Sequence, residues 1–435
     1  MNTASASTPV NPALPRKPRL LWANVYCLLD TSSGASMAVR QMLLQLAQSG
    51  WDVRVLGATV FDHERGTAGV QPQWPAVRAR RGGAVVLVDG PLEHQLLVTH
   101  NTQRSQMTSA EEGTWFGLYR QALEQFRPDV VFYYGGQPFD FLIAQEARAR
   151  AIPSVFYLAN GSYSQARFCR DVDLVLTDSQ ATAALYKERL GVQAVPVGAF
   201  IDPARVVASQ HTRQRVLFVN PAPEKGAAIV VRLAMLLELR RPDIVLEVVE
   251  SRGSWGAMLQ QLSAALGTPR ASLANVVVTP STGDMRPVFA RARVLLAPSL
   301  WWESAGRVVA EAMLNGIPAL VTARGGLPEM LGDGGLVLHL DAQCYAAGYT
   351  RLPSDAALEP VLRWLEMIYD DEASYATLCK CAARVGRSVH SLQASTARLV
   401  TALEPLAQQH AGDADAGAAI RQWHRHGLDD RAAPG

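Results

Sequence analysis

The sequence predicts an α/β protein of two tandem, doubly wound halves that face a cleft. Short apolar segments alternate with helical segments of roughly ten residues, which is typical of parallel sheets covered by helices. The alternation stops over 201–214 and starts again at 215, so we expect a linker there. At 435 residues the chain is also too long for one ordinary hydrophobic core. Ligands of such proteins usually lie between the halves.

The first half starts with a buried strand, a loop of small polar residues and a helix. Its predicted strands are 19–26, 51–57, 130–136, 154–161 and 173–179, and its predicted helices are 37–50, 117–129, 138–151 and 182–191. The pattern is less regular over 58–115, where the apolar segments 85–90 and 94–100 either pair with each other or act as consecutive strands. Glycines follow several strands, which is where sheets of this kind bind ligands.

The second half repeats the pattern and ends in helices. Its predicted strands are 215–220, 244–250, 275–280, 294–299 and 335–338. Its predicted helices are 227–241, 255–267, 285–292, 305–314, 358–371, 374–386 and 391–408. The last residues are rich in Ala, Gly and charged side chains, so we expect a frayed tail from 411 onward.

Composition and charge argue against several classes of protein. The formal net charge is only +2 and no basic stripe contains aromatic residues, so we expect no nucleic-acid partner. Five scattered cysteines without metal-ligand spacing indicate a reduced, cytoplasmic protein. No apolar run reaches the length of a membrane span, about 18 residues. The cluster Arg78, Arg80 and Arg81 has two interpretations. It is a solvated loop, or it is a surface that contacts either an acceptor or the inner face of a membrane.

The segment 298–330 carries the clearest functional signal. Glu303 lies in a loop and Glu311 on the following helix, which Ser304 to Gly306 open and Asn315-Gly316 end. A helix N-terminus between two carboxylates suits a ligand with a central phosphate and hydroxyl groups on both sides. A nucleotide-sugar has this shape. The alternative for Glu311 is a structural ion pair with an arginine.

Two further loops belong to the same interpretation. Lys225, one of only four lysines, lies between a strand and a helix and either neutralises a diphosphate or is a surface lysine. Gly325 and Gly326 either let the backbone approach a ligand or form a plain tight turn. The chain lacks a dinucleotide GxGxxG, a P-loop and an acidic cluster for a metal–diphosphate site. We therefore expect no cofactor and no metal, with Lys225 and the helix N-terminus balancing the phosphate charge.

These residues resemble the pattern of the family 4 (group 1) glycosyltransferases, which are retaining enzymes of the GT-B fold. The hallmark of the family is E-x7-E, here Glu303 and Glu311. The surrounding matches are Pro298, Ser299, Gly306, Val309, Ala312, Met313, Gly316, Pro318, Gly325, Gly326, Pro328 and Glu329. The resemblance extends over nearly the whole chain and includes the opening loop and helix of the first half.

The resemblance implies a role for each matching residue. Glu303 would hold hydroxyl groups of the donor sugar, Glu311 those of the ribose, and Lys225 would contact the diphosphate. Glu303 and Lys225 are the predicted catalytic residues. The other predicted donor-binding residues are Gly34, Asn220, Ser304, Ala305, Gly306, Arg307, Val308, Gly325 and Gly326, with the backbone N–H groups around 305–307 on the diphosphate. Asn160 and Gly136 are predicted on the acceptor side.

The chain departs from the family pattern at three positions. Asn220 stands in the region where the family usually carries an arginine before the lysine. Asn160-Gly161 replaces a common His-Gly, and Ser304 replaces the proline that commonly follows the first glutamate. Either a second positive charge at the site comes from another residue, or the site binds the donor more weakly.

The resemblance also implies the domain organisation. We expect a disordered leader at 1–17, an acceptor-side domain at 18–204 and a nucleotide-sugar-binding domain at 205–385. A helix at 386–410 would return to the N-terminal domain, followed by a flexible tail at 411–435.

The implied function is transfer of a hexose from a nucleoside diphosphate sugar to an acceptor hydroxyl with retention, in bacterial glycan or glycolipid synthesis. The acceptor is a glycan, a glycolipid or a small molecule. Two alternatives remain open. One is a sugar-nucleotide epimerase or a phosphorylase on the same fold, and the other is a sugar-nucleotide-binding protein without catalysis.

Overall fold

The structure is a computed structural model that describes residues 16–349 and 351–429. Residues 1–15 of the predicted leader and 430–435 of the predicted tail lie outside the described residues. The described chain forms two sheets with helices packed against them, which confirms the predicted α/β class with two doubly wound halves.

The first half contains an eight-stranded sheet. Its strands are β1 (Arg19–Ala23), β2 (Asp52–Ala58), β3 (Ala84–Asp89), β4 (Leu92–Leu97), β5 (Val130–Tyr133), β6 (Ser154–Leu158), β7 (Leu174–Thr177) and β8 (Val195–Pro196). Its helices are α1 (Gly34–Gln48), α2 (Trp74–Arg78), α3 (Ser109–Phe126), α4 (Phe141–Ala149) and α5 (Gln180–Leu190). The strand order is β3-β4-β2-β1-β5-β6-β7-β8, and all neighbours are parallel except β3 and β4. The two apolar segments after residue 84 therefore pair with each other as a hairpin.

The second half contains a six-stranded, fully parallel sheet. Its strands are β9 (Arg215–Val219), β10 (Leu246–Val249), β11 (Val276–Thr279), β12 (Ala292–Ala297), β13 (Ala319–Thr322) and β14 (Gly335–Leu338). The helices from the linker onward are α6 (Pro203–Val206), α7 (Ala227–Arg240), α8 (Trp255–Ala265), α9 (Arg286–Arg291), α10 (Arg307–Leu314), α11 (Leu327–Leu331), α12 (Asp355–Asp370), α13 (Glu372–Ser388) and α14 (Leu392–Asp429).

The strand order of this second sheet fixes where a ligand can bind. The order is β11-β10-β9-β12-β13-β14, so the chain reverses its direction of winding between β9 and β12. Loops that leave the carboxyl ends of two such strands diverge and open a crevice between them. The loop after β9 carries Lys225 and the loop after β12 carries Glu303. The topology alone therefore brings the two predicted catalytic loops to one crevice.

The last helix packs against the first half of the chain. Leu399, Leu403 and Ala407 of α14 are buried in the same core as strands β1 and β5. The Ser395 hydroxyl donates to the carbonyl of Ala199 at 2.7 Å, and Arg398 Nε donates to the carbonyl of Val197 at 3.0 Å. The helix continues to Asp429, past the predicted end at 410, in a segment rich in alanine, which favours helix.

Polar contacts also join the two halves directly. Arg252 Nη2 lies 2.6 Å from Asp62 Oδ2, and Trp302 Nε1 donates to Thr182 Oγ1 at 3.2 Å. These contacts run from loops of the second half to the first half, so the halves meet around the crevice rather than only at the linker.

The predicted basic cluster separates into residues with different roles. Arg78 donates to the carbonyls of Thr99 and His100, both at 2.8 Å, and so fixes a loop. Arg80 and Arg81 are exposed. Within 16–349 and 351–429, no helix combines the length and the hydropathy needed to cross a bilayer.

Candidate functional site

A cavity of about 410 Å³ opens at the crevice of the second sheet and is closed by the first turn of α1. Eight predicted site residues line it: Gly34, Asn220, Lys225, Glu303, Gly306, Arg307, Val308 and Glu311. Six further polar or flexible lining residues were not predicted: Met37, Glu250, Ser251, Ser281, Thr282 and Met285. Most of these six residues follow the carboxyl ends of β10 and β11. Their position directly after strands was the sequence signal that could have identified them as ligand-binding residues.

The two predicted catalytic side chains contact each other. Lys225 Nζ forms an ion pair with Glu303 Oε1, and the Ser299 hydroxyl donates to the same oxygen at 2.9 Å. The Glu303 side chain is only 16% exposed. The pair joins the two loops of the crevice, and each partner keeps polar capacity for a ligand.

Gly325 and Gly326 lie behind the Glu303 loop rather than in the cavity lining. A Cβ on Gly325, whose φ is +59°, would lie 2.1 Å from the Glu303 carbonyl oxygen. A Cβ on Gly326 would lie 2.4 Å from the Ser304 carbonyl oxygen, and the Gly326 N–H donates to the Glu303 carbonyl at 2.8 Å. The two glycines therefore hold the backbone of the loop that carries Glu303.

Helix α10 begins at Arg307, two residues later than predicted. Gly306, with φ +80°, takes the capping position that was predicted for Ser304. Glycine is required there because the backbone is left-handed and because a Cβ would lie 2.4 Å from Leu327 Cδ2. Ser304 and Ala305 are buried below the cavity instead, at 7% and 8% exposure.

This helix start leaves backbone donors open to the cavity. No described side chain caps α10. The N–H groups of Arg307 and Val308 have no acceptor within 16–349 and 351–429. Unpaired N–H groups at the positive end of a helix bind anions well, and phosphates in particular.

Glu311 lies one turn further along α10 and is both a lining residue and a member of an ion pair. Arg307 Nε donates to Glu311 Oε1 at 2.8 Å, and Arg307 Nη1 donates to the Phe200 carbonyl at 3.3 Å. Burial raises the pKa of Glu311 above its ordinary value, and Arg307 opposes part of that rise. Glu311 therefore forms the ion pair of the structural alternative and also faces the cavity, and its role in binding a ribose stays a prediction.

Replacing Glu311 with Gln is expected to change how stability depends on pH. Because the pKa of Glu311 is raised in the folded state, the folded protein binds more protons than the unfolded chain just above pH 4.5. The free energy of unfolding of the wild type therefore falls, relative to Glu311→Gln, as the pH rises through this window. Urea denaturation of both proteins at several pH values measures the difference. A constant difference across the window would contradict the assigned cause.

Arg307 is the second cation of the cavity. The sequence analysis predicted that its backbone N–H binds the diphosphate and assigned no role to its side chain. Asn220, which stands in the region of the family arginine, has φ +63° and accepts the N–H groups of Arg252 and Gly253 at 3.2 and 3.1 Å. Asn220 thus shapes its loop, and Lys225 and Arg307 supply the positive charge. The i,i+4 spacing of Arg307 and Glu311 was the sequence signal for this pair.

The two predicted acceptor-side residues lie outside this lining. Asn160, after β6, accepts the N–H of Ser162 at 3.0 Å. Gly136, after β5, donates its N–H to Asp140 Oδ2 at 2.9 Å, and burial raises the pKa of Asp140 to about 6. Both residues therefore organise loops at the carboxyl edge of the first sheet.

Comparison with known sequences finds a family match over part of the chain. Residues 213–355 match the family described as "Glycosyl transferases group 1". The D-inositol 3-phosphate glycosyltransferase of Arthrobacter sp. (strain FB24) is 32% identical over 162 residues, which cover 37% of this chain and 35% of that protein. The protein of the same name from Salinispora tropica is 34% identical over 152 residues, covering 32% and 31%. The chain thus spans about a third of the length of these curated relatives.

Comparison with solved structures covers most of the chain. Sucrose-phosphate synthase from Thermosynechococcus elongatus superposes with a TM-score of 0.59 over 94% of this chain and 100% of that one, at 16% identity. Anabaena HepE in complex with UDP and glucose gives a TM-score of 0.61 over 89% and 100%, at 14% identity. These similarities confirm the predicted GT-B fold, with two Rossmann-like domains around a cleft.

Proposed function

We propose that this chain is a family 4 retaining glycosyltransferase that moves a hexose from a nucleoside diphosphate sugar to an acceptor hydroxyl. The observation that carries the proposal is the cavity that joins Lys225, Glu303, Arg307 and Glu311 at an open helix N-terminus. The match of 213–355 to the group 1 family supports it, as do the names of the two relatives. The neighbour crystallised with UDP and glucose has the same fold.

Each element of the cavity has a role in this proposal. The N–H groups of Arg307 and Val308, together with the side chains of Lys225 and Arg307, hold the diphosphate. Glu311 accepts hydrogen bonds from the ribose hydroxyls and Glu303 from the hydroxyls of the sugar. The cavity volume of about 410 Å³ lies within the range of small-molecule sites, roughly 300–1,000 Å³.

The two ion pairs prepare the site for charge that develops during the reaction. The bond between the anomeric carbon and the phosphate oxygen breaks, and the diphosphate takes the electron pair. The acceptor oxygen attacks the same face of the sugar, and its proton passes to the departing phosphate oxygen. Lys225 and Arg307 turn from Glu303 and Glu311 toward the diphosphate. Because both cations already lie beside the site, they only exchange one partner for another, which keeps reorganisation during bond breaking small.

Slow hydrolysis of the donor tests this function without knowledge of the acceptor. When water replaces the acceptor, retention predicts that the first free sugar has the anomeric configuration of the donor, which proton NMR reads before mutarotation. Inverted sugar would contradict retention. An epimerase would instead yield an epimeric sugar, a phosphorylase would require inorganic phosphate, and a binding protein would leave every donor intact.

Arg307→Gln is expected to weaken nucleoside diphosphate binding by about 10- to 100-fold, because it removes charge-assisted hydrogen bonds to the diphosphate. Titration calorimetry with UDP, or with whichever nucleotide binds, measures the change. Arg363→Gln is the matched control, since that side chain is 73% exposed on α12. Equal affinity in Arg307→Gln and the wild type would remove Arg307 from the donor site.

A further inference from the structure

A second cavity of about 440 Å³ lies between the two halves and is separate from the donor cavity. The residues that matter for its chemistry are Tyr163, Arg189, Trp301, Trp302, Arg324 and Tyr349. Among the described residues the two cavities share no lining side chain. Trp302 immediately precedes Glu303, so the second cavity borders the loop of the first.

Arg324 lines this cavity and contacts aromatic rings there. Its guanidinium carbon lies 5.5 Å from the Trp302 ring and 4.9 Å from the Tyr345 ring. Its Nε is buried and has no hydrogen-bond partner in the part of the chain that the structure describes. A buried donor left unpaired is costly, and a ligand acceptor removes that cost.

Arg189 brings a second positive charge to the same cavity from the first half. It is exposed near the end of α5. The described residues place no carboxylate within 4.0 Å of the guanidinium of Arg189 or of Arg324. Many other arginines of this chain pair with Asp or Glu, as Arg40, Arg241 and Arg291 do. The cavity therefore combines two arginines that pair with no carboxylate of the described residues.

Two tryptophans supply flat apolar surface beside these cations. Trp301 is 37% exposed. Trp302 is held in place from the first half, because its Nε1 donates to Thr182 Oγ1 at 3.2 Å and a Cβ on Gly161 would lie 2.4 Å from its ring. A rigid aromatic body with polar groups nearby suits a ligand that has apolar faces and a polar rim. A sugar ring is such a ligand.

We propose that the second cavity binds the acceptor and that the acceptor is an anionic saccharide. A sugar ring packs on Trp301 or Trp302, and a phosphate or carboxylate of the same molecule pairs with Arg189 and Arg324. The inference rests on the proposed function, because Trp302 immediately precedes Glu303 and the second cavity therefore borders the loop that carries the predicted sugar-binding carboxylate. Phosphate and carboxylate share the chemistry that two arginines recognise, and the experiment separates them.

Direct binding to the full chain tests this inference. The protein is saturated with UDP, or with the nucleotide that binds it, so that the donor cavity is filled. Glucose 6-phosphate, glucuronate and glucose are then titrated at constant ionic strength, with tryptophan fluorescence and ligand-observed NMR as readouts. We expect one or both anionic sugars to bind about 10-fold or more tightly than glucose. A preference for one of them identifies the acidic group.

Variants locate the binding. Arg324→Gln is expected to weaken the anionic sugar about 10-fold or more and to leave nucleotide affinity unchanged. Arg189→Gln, at an exposed position that tolerates change, gives the same test if Arg324→Gln fails to fold. Arg363→Gln controls for bulk charge. Equal binding of glucose and the anionic sugars, or anionic binding that neither variant weakens, would overturn the inference. Failure of the nucleotide itself to bind would instead contradict the proposed function, which separates the two results.

Discussion

Replacing Glu303 with Gln lowers the rate of sugar transfer or donor hydrolysis by about 100- to 1,000-fold, the range measured for loss of one preorganised polar group in an active site. The substitution keeps the shape of the side chain and removes its charge. It therefore breaks the ion pair with Lys225 and weakens the acceptance of a hydrogen bond from Ser299. The sugar loses the carboxylate that fixes its hydroxyls, and Lys225 loses the partner that positions it.

The measurement separates catalysis from folding. Turnover is measured by release of UDP or the matching nucleotide, and thermal unfolding checks the fold. Glu404→Gln on α14 is the control, because Glu404 is an exposed glutamate far from the cavity lining. Turnover of Glu303→Gln within a few-fold of the wild type would show that Glu303 does not take part in the reaction.

Gly226→Ala has the largest expected effect on stability and is expected to remove donor binding as well. Gly226 has φ +80°, and a Cβ there would lie 2.1 Å from the carbonyl oxygen of Pro298. Left-handed strain costs about 1–3 kcal/mol and forced overpacking about another 1–3 kcal/mol. The free energy of unfolding should therefore fall by about 2–6 kcal/mol. The Lys225 loop would separate from the Glu303 loop.

A second glycine provides a matched control for this prediction. Gly267 also has a positive φ, +72°, but a Cβ there has nothing within 4 Å. Gly267→Ala should therefore show the strain alone and keep the affinity for nucleotide. Denaturant unfolding and nucleotide titration of both variants give the comparison. Equal destabilisation of the two proteins would mean that the contact with Pro298 carries no energy.

The alternation of strands and helices was sufficient to predict the sheets and most of the elements. Strand β14, at 335–338, has the predicted bounds. Buried parallel strands are continuous apolar runs with turn-forming residues at both ends. They can therefore be recognised in a single sequence. The strand order was not predicted, although it is the order that brings the loops after β9 and β12 together.

The residues of the cavity that have a distinctive type were predicted from the sequence. The backbone details that depend on tertiary packing were not. Glu303, Lys225 and Glu311 are charged residues beside glycine-rich turns, and they meet in one cavity. The predicted helix start was wrong by two residues, because the left-handed backbone of Gly306 and its close contact with Leu327 depend on tertiary packing. Likewise, the role of Gly325 as a support for Glu303 depends on a contact between segments that no local pattern encodes.

The second cavity shows a further limit of local patterns. Arg189 and Trp302 are more than one hundred residues apart, and each is unremarkable in its own segment. Only the approach of α5 to the loop after β12 places them together. A cleft between two halves combines residues that no spacing rule connects.

Binding of a nucleoside diphosphate sugar is the measurement that tests the account most directly. UDP-, GDP-, ADP- and TDP-sugars are screened against the full chain by saturation-transfer NMR and thermal shift, with Gly226→Ala as the negative control. We expect at least one of the four to bind the wild type and raise its unfolding temperature, with strong transfer to the ribose and diphosphate-proximal protons, and Gly226→Ala to lose that signal. If none of the four binds the wild type, the cavity between Lys225 and Glu311 is not a nucleotide-sugar site.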